Sequence, residues 1–263
     1  MAGFGALKFL FDNTLSTDYD MFIVDINGGG VTDGLGGDGT ELITDSVYRK
    51  SKPYLYGTTQ STQLEFDLTF ASSKQIDRIQ LAKIQRWLFG KRNYSKLQIL
   101  QCDLDTVYFN CFLLNPTVTS VGNMPYAFTC KVVCDAPWAW EFPKRKTFSS
   151  PLFETDVVFY NDSDNTDYMY PYNEFTLNAL TSSLKVVNYS DNGRIAEFVN
   201  LVPNETITLD NQKQIITSST GLNRLGNFNK NWFRLVSGVN KLRIVGGLEA
   251  SIMTYQNARK VGS

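Results

Sequence analysis

Period-two alternation of apolar and polar side chains runs through most of this chain, while a helical period occurs clearly only once. Leu64, Phe66, Leu68 and Phe70 alternate with Glu65, Asp67 and Thr69, the pattern of a strand with one buried face. A β-branched run, Met21 to Ile26, stops at Asn27-Gly28-Gly29-Gly30. Further strands are expected over Lys96–Leu100, Val107–Leu114, Thr117–Val121 and Tyr126–Cys134. Pro137 ends that set, because a proline cannot donate to a central ladder. In the second half, Leu184–Tyr189 and Arg194–Val199 flank Asp191-Asn192-Gly193, residues that tolerate the positive φ of a tight hairpin. Thr206–Asp210 and Gln214–Thr217 flank a second turn at Asn211, and Leu242, Ile244, Ile252 and Thr254 carry the alternation through Gly246-Gly247. About 115 residues of short strands without a helix make a β-sandwich.

The one helix lies between Ser72-Ser73, expected as N-cap residues, and Gly90, expected as its stop. Ile76, Ile79, Ile84, Trp87 and Leu88 fall close to one stripe, with Lys74, Asp77, Arg78, Lys83 and Arg86 on the remainder. The pattern is that of a surface helix packed on a sheet.

Chemistry is constrained by a single count: among 263 residues there is no histidine. Ser-His-Asp and Cys-His catalysis, His-ligated zinc and a His-based pH switch are excluded. The chain is 43% hydrophobic with a formal net charge of -1, which excludes a disordered polyelectrolyte. Such a balance also lacks the Lys and Arg excess of a general nucleic-acid binder. No stretch approaches the ~18 apolar residues of a membrane helix. Residues 1–15 lack the basic start and cleavage site of a secretory signal, so the protein is expected to be made and kept in a cytoplasm.

Cys102, Cys111, Cys130 and Cys134 do not converge in sequence on a metal site. Cys130 and Cys134 share one face of one predicted strand, roughly 13 Å apart, too far for one zinc ion. All four are expected to serve as small apolar residues. Gly34-Leu-Gly36-Gly-Asp-Gly39 matches G-x-G-x-x-G, but the β-branched segment after it does not open a helix. A loop or hairpin tip fits better than a dinucleotide cradle. Asp162-Ser-Asp164-Asn-Thr166-Asp167 begins like a calcium loop, yet Asp167 replaces the glycine at position six and Asn173 the glutamate at position twelve. An ordinary polar loop is expected there. The matches to glycosylation sites at Asn93, Asn188 and Asn204 are read as chance in a chain without a signal. No carboxylate pair is singled out for hydrolysis, and no cofactor or metal is expected.

Lys144-Arg145-Lys146, the densest basic run, sits between Pro143 and Pro151 and reads as a solvated linker over residues 144–151. It divides a first domain, 1–143, from a second, 152–263. Residues 1–143 hold 12 basic and 15 acidic side chains, net -3, and residues 144–263 hold 13 and 11, net +2.

Several local stretches resemble the distal tail protein family of long-tailed bacteriophages that infect Gram-positive hosts. They are Leu64-Glu-Phe-Asp-Leu-Thr-Phe70, the helix end Gln85-Arg-Trp-Leu-Phe-Gly90, Lys96-Leu-Gln-Ile99 and the strand Tyr126–Cys134 closing in Asp135-Ala-Pro-Trp-Ala-Trp140. The stretch Asn229–Gly246, with Leu235-x-x-Gly238-x-Asn240, resembles the sandwich domains appended to such tail proteins. The resemblance implies a mainly β protein: an N-terminal β-sandwich or split-barrel-like domain with one helix and an extended hairpin arm, then a C-terminal galectin-like β-sandwich.

By that resemblance the protein is structural and not an enzyme. It would form a homohexameric ring at the tail tip of the virion, joining the tail tube protein to the tail-tip hub or tail-associated protein. The tape-measure protein and DNA would pass through its lumen, for which a net -3 domain is suited because a basic lining would retain the strand. The C-terminal domain would project outward and could hold receptor-binding proteins. A carbohydrate- or host-surface-binding module acting through that sandwich is the alternative. Assembly would take place in the host cytoplasm without membrane insertion, and a chain of this length is expected to be the short form. The arm is expected within Gly28–Gln60, where Val31, Leu35, Leu42, Ile43, Val47 and Tyr48 are the candidate ring-interface residues.

Overall fold

The computed structural model describes residues 7–24, 41–46, 48–59, 62–102, 104–122, 124–150 and 153–261. The chain forms two compact units, Met1–Glu141 with Arg259–Ser263, and Phe142–Ala258. The expected linker over 144–151 is therefore corrected. Lys144–Ser150 is a strand whose residues pair with Ser251 to Tyr255 and Leu248, and its basic side chains ride on a ladder that belongs to the second unit.

The first unit contains β1 (Lys8–Phe11), β2 (Thr14–Leu15), β3 (Met21–Ile23), β4 (Glu41–Asp45), β5 (Tyr54–Thr59) and β6 (Glu65–Ser72). The α-helix α1 (Arg78–Phe89), the only one among the described residues, follows, then β7 (Ser95–Leu100), β8 (Val107–Val121), β9 (Met124–Cys134) and β10 (Ala139–Glu141). The main sheet is antiparallel in the order β2-β1-β7-β8-β9-β6-β3. A bridge between Leu7 and Ile23, each donating its N–H to the other's carbonyl at 2.9 Å, brings β3 back to the β1 side and curls the sheet into a barrel-like wall. The two segments expected as separate strands, Val107–Leu114 and Thr117–Val121, are one long β8, with an irregularity between Leu114 and Thr117 where Pro116 sits.

Trp87 explains why the helix lies where it does. Its ring stacks on Phe9 (5.7 Å between centroids) and on Tyr19 (4.5 Å), and its indole N–H donates to the Phe11 carbonyl at 3.0 Å. The helix thereby sets its own Ile84 and Leu88 into the core with Phe9, Phe70 and Phe128. Its start differs from expectation. The N-cap is Asp77, whose carboxylate accepts from the Gln80 N–H at 2.7 Å, while Ser72 still belongs to β6. The Ser72 and Ser73 hydroxyls instead donate to the Asp20 carboxylate at 2.7–3.0 Å. Ile79 stands five residues before Ile84, about 140° round the helix from it, and is 71% exposed. Gly90 ends the helix for a steric reason and not for a left-handed φ: a Cβ there would lie 2.6 Å from the Arg86 carbonyl oxygen.

The second unit holds β11 (Lys144–Ser150), β12 (Glu154–Asn161), β13 (Tyr172–Leu177), β14 (Leu184–Asn188), β15 (Arg194–Phe198), β16 (Thr206–Asp210), β17 (Ile215–Ser218), β18 (Gly238–Val245) and β19 (Leu248–Tyr255). A short β20 (Ala258–Arg259) follows, at the point where the chain passes back from the second unit to the first. Two antiparallel sheets, β11-β19-β13-β16-β17 and β12-β18-β14-β15, enclose Phe159, Phe175, Phe198, Ile207, Leu235, Leu242 and Met253. The β14–β15 hairpin turns on Asn192 and Gly193, both at positive φ, as its residue types predict. At Gly246-Gly247 the chain leaves one sheet for the other. A Cβ on Gly247 would meet the Asn178 side chain at 2.0 Å, so the corner admits only glycine without rearrangement.

The Leu235-x-x-Gly238-x-Asn240 stretch is a built corner. Leu235 is buried and Gly238 takes φ 80°. The buried Asn240 amide donates to the Val236 and Gly238 carbonyls and accepts from the Val236 N–H and the Asn188 side chain. A second buried polar knot pairs Glu205 with Arg224 through two 2.7 Å bonds, with Ser218 and the Val202 N–H also donating to the carboxylate. Burial raises the Glu205 pKa, but the bonds from Arg224, Ser218 and Val202 outweigh it and hold the carboxyl below its usual range.

Candidate interaction surface

Strands β4 and β5 pair with each other in a two-stranded sheet and, among the described residues, with no third strand. A lone hairpin is at best marginally stable in water, and this one exposes several large apolar side chains. Tyr54, Leu55 and Tyr56 on β5 are all exposed, Leu55 at 61% and Tyr56 at 69%. Ile43 on β4 is 48% exposed. Register shifts between Ile43 and Thr44, leaving Tyr56 as the extra residue of a bulge. The apex is basic: Arg49, Lys50 and Lys52 are exposed, Arg49 lies over the Tyr48 ring, and Lys50 donates to the Tyr54 hydroxyl at 2.5 Å.

Of the six candidate interface residues, Ile43 and Tyr48 are strongly exposed, Tyr48 at 85%. Leu42 lies on β4 opposite Thr58. Val31, Leu35 and Val47 lie outside the described residues, as does the Gly34–Gly39 motif. Sequence reading missed Tyr54, Leu55 and Tyr56. Their signal was present as an apolar triplet beside Pro53 without strict alternation.

A second projecting element is the far end of the β8–β9 hairpin. From Leu114 to Val121 every side chain of β8 is exposed, including Leu114, Val118 and Val121, with Met124 across the turn. Residues 106–130 contain no charged side chain. Beyond Cys111, no described strand pairs with β8 on the side away from β9. An uncharged open edge of this length is the kind of surface that soluble monomers avoid.

Elsewhere the polar chemistry is internal. Among the described residues no group of three or more Cys, Asp or Glu side chains is arranged to hold a metal ion. In the 162–167 loop, Asp162 accepts from the Asn257 amide at 2.6 Å, and Ser163 and Asn165 accept from backbone N–H groups two residues on. Three of the cysteines are buried as expected, but Cys102 is exposed, so the apolar role does not extend to it. No described helix is long and apolar enough to cross a membrane.

A β-rich chain whose first unit exposes apolar side chains along the β4–β5 hairpin and the far end of β8 has the character of a structural building block, suited to contact with other chains. Family comparison agrees. Residues 4–136 match the model for a phage tail protein N-terminal domain, and residues 138–254 match that for a phage tail C-terminal domain. The chain belongs to this phage tail protein family. Its fold is similar to the crystal structure of Dit (gp 19.1) of phage SPP1, described as a paradigm of the hub adsorption apparatus in phages infecting Gram-positive hosts. There the TM-score is 0.71 at 9% identity, over 95% of this chain and 98% of that one. It is also similar to a chain of the phage p2 baseplate in its activated conformation with Sr, with a TM-score of 0.51 at 13% identity, over 97% and 99%. No curated protein sequence matches the chain.

Proposed function

We propose that this phage tail protein is a non-catalytic ring component of the tail tip, a homohexamer joining the tail tube to the tail-tip hub and leaving an open lumen for the tape-measure protein and DNA. The observation that carries the reading is the β4–β5 hairpin, which exposes large apolar side chains and, among the described residues, has no third strand. In a ring each protomer offers one surface to one neighbour and a different surface to the other, so an arm and a receptor edge on the same chain satisfy closure. The open, uncharged edge of β8 is a suitable receptor for an added strand. The basic apex of the hairpin, Arg49, Lys50 and Lys52, is opposite in sign to the rest of residues 1–143, which hold 9 basic and 15 acidic side chains.

Deleting residues 31–50 should leave both units folded and abolish the ring, read by light scattering and negative-stain imaging of the same peak. A deletion variant that still forms the full ring refutes the arm. The second unit offers a separate docking face: Val158 and Tyr160 on β12, Tyr189 after β14 and Val239 on β18 are exposed on the outer side of the four-stranded sheet. We assign that face to peripheral tail or receptor-binding proteins. Binding of residues 142–258, the second unit with β11 included, to purified host cell wall would instead favour host-surface recognition by the sandwich itself.

A further inference from the structure

We infer that Cys111 and Cys134 are a latent cross-strand disulfide, closed by thiol–disulfide exchange once the protein leaves a reducing compartment. The two cysteines are direct register partners at the base of the β8–β9 hairpin. The hydrogen bonds around them fix which kind of pair they form. One step outward the Asp135 N–H donates to the Asn110 carbonyl at 2.9 Å, so that neighbouring pair is a hydrogen-bonded one. The Cys134 N–H is turned the other way, to the Leu64 carbonyl at 2.9 Å. Cys111 and Cys134 therefore occupy a non-hydrogen-bonded site, where Cα atoms lie about 4.5 Å apart and side chains approach most closely. That spacing lies inside the range of about 4.4–6.8 Å that a disulfide spans without moving the backbone. Both side chains enter the same core, both are fully buried, and both are free thiols.

The third buried cysteine is placed differently. Cys130 pairs with Leu68 of β6, and it lies four residues from Cys134 along one strand, roughly 13 Å away. Burial, then its neighbours Cys134, Cys130 and Asp135, pushes the Cys111 thiol up, and burial first pushes Cys130 and Cys134 up to about 12. As folded, the pair is thus protonated and shielded, and exchange proceeds only when the hairpin base opens. This keeps it reduced during assembly in a cytoplasm and makes closure slow outside one.

The oxidant required is a low-molecular-weight disulfide such as oxidised glutathione. One cysteine thiolate attacks it, forming a mixed disulfide and expelling one glutathione thiolate. The second cysteine thiolate then attacks the protein-bound sulfur, closing the Cys111–Cys134 bond and expelling the other glutathione. The two protons given up by the cysteines are taken by the two glutathione thiolates. The closed loop encloses Phe112 to Val133, which is the whole projecting hairpin. Staples of such loop size raise the unfolding temperature of the unit that carries them by roughly 5–10 °C.

The test uses the full chain with exposed Cys102 replaced (Cys102→Ser), so that no linkage between molecules intervenes. After long incubation with oxidised glutathione at 37 °C, the protein should be lighter by two hydrogens. Non-reducing peptide mapping should join the Cys111 and Cys134 peptides, and the unfolding temperature should rise and return on reduction. Adding Cys130→Ser should leave the link intact, and adding Cys134→Ser should remove it together with the temperature shift. A Cys111–Cys130 link overturns the assignment. So does the absence of any link under conditions where hydrogen exchange shows the Phe112–Val133 amides opening. Mapping needs no substitution in the core, so a variant that fails to fold does not obscure the result.

Discussion

The arm can be tested without deleting it. Leu55→Ala with Tyr56→Ala removes two exposed side chains from β5 while leaving the barrel core untouched. At about 25 cal/mol per Å², covering the exposed part of Leu55 is worth about 1 kcal/mol and covering the larger exposed part of Tyr56 about 2 kcal/mol. If a neighbouring protomer covers both, each interface loses about 3 kcal/mol, roughly a 100-fold fall in its association constant. Dilution series followed by mass photometry should show the ring of the double variant dissociating at a correspondingly higher protein concentration. Because these side chains are solvated in the single chain, the unfolding temperature of the dissociated protomer should stay within the range of a surface substitution, about 0.5 kcal/mol. A double variant that holds its ring at the same concentrations as the parent refutes burial of the arm. A variant whose protomer is itself strongly destabilised shows that β5 packs on its own chain, which defeats the argument differently.

Three further outcomes follow from the packing. Trp87→Phe withdraws the hydrogen bond to the Phe11 carbonyl and opens space between Phe9 and Tyr19, so denaturant unfolding of the first unit should show a loss of about 2–4 kcal/mol. Glu205→Gln leaves the buried Arg224 guanidinium without its counter-charge, at a cost of about 3–5 kcal/mol to the second unit. The Glu205 pKa is lowered in the folded state, so the stability from that carboxylate is present above its unfolded value near 4.5. It is lost as pH falls through the lower folded value, and acid titrations of the parent and of Glu205→Gln should converge in that region. Gly247→Ala drives a Cβ into the Asn178 side chain and should destabilise the corner between β18 and β19 by roughly 1–3 kcal/mol, visible as a lower unfolding temperature of the second unit.

Strand period, turn chemistry and the one amphipathic helix are local properties, and they were legible. The positive-φ pair Asn192-Gly193, the alternation of β6 and the stop at Gly90 each depend on residues within a turn or two of one another. The absence of histidine narrowed the chemistry before any contact was known. Partner choice across the chain was not legible. Ser72 and Ser73 carry cap chemistry, but Asp20, about fifty residues earlier, takes their hydroxyls, and Asp77 caps the helix instead. The basic run at 144–146 has the composition of a linker, yet β19 offers it a ladder about a hundred residues downstream.

The same division governs the site. Sequence alone determined a β-rich chain with apolar residues from Val31 to Tyr48 in a segment without a core pattern of its own, because hydrophobicity and spacing are carried by each residue. Only the tertiary structure decided that, among the described residues, β4 and β5 find no third strand and β8 keeps an open edge, and that Cys111 faces Cys134. Which strand edges are filled, and which thiols become neighbours, depends on how distant segments close around a common core. No local pattern encodes that closure.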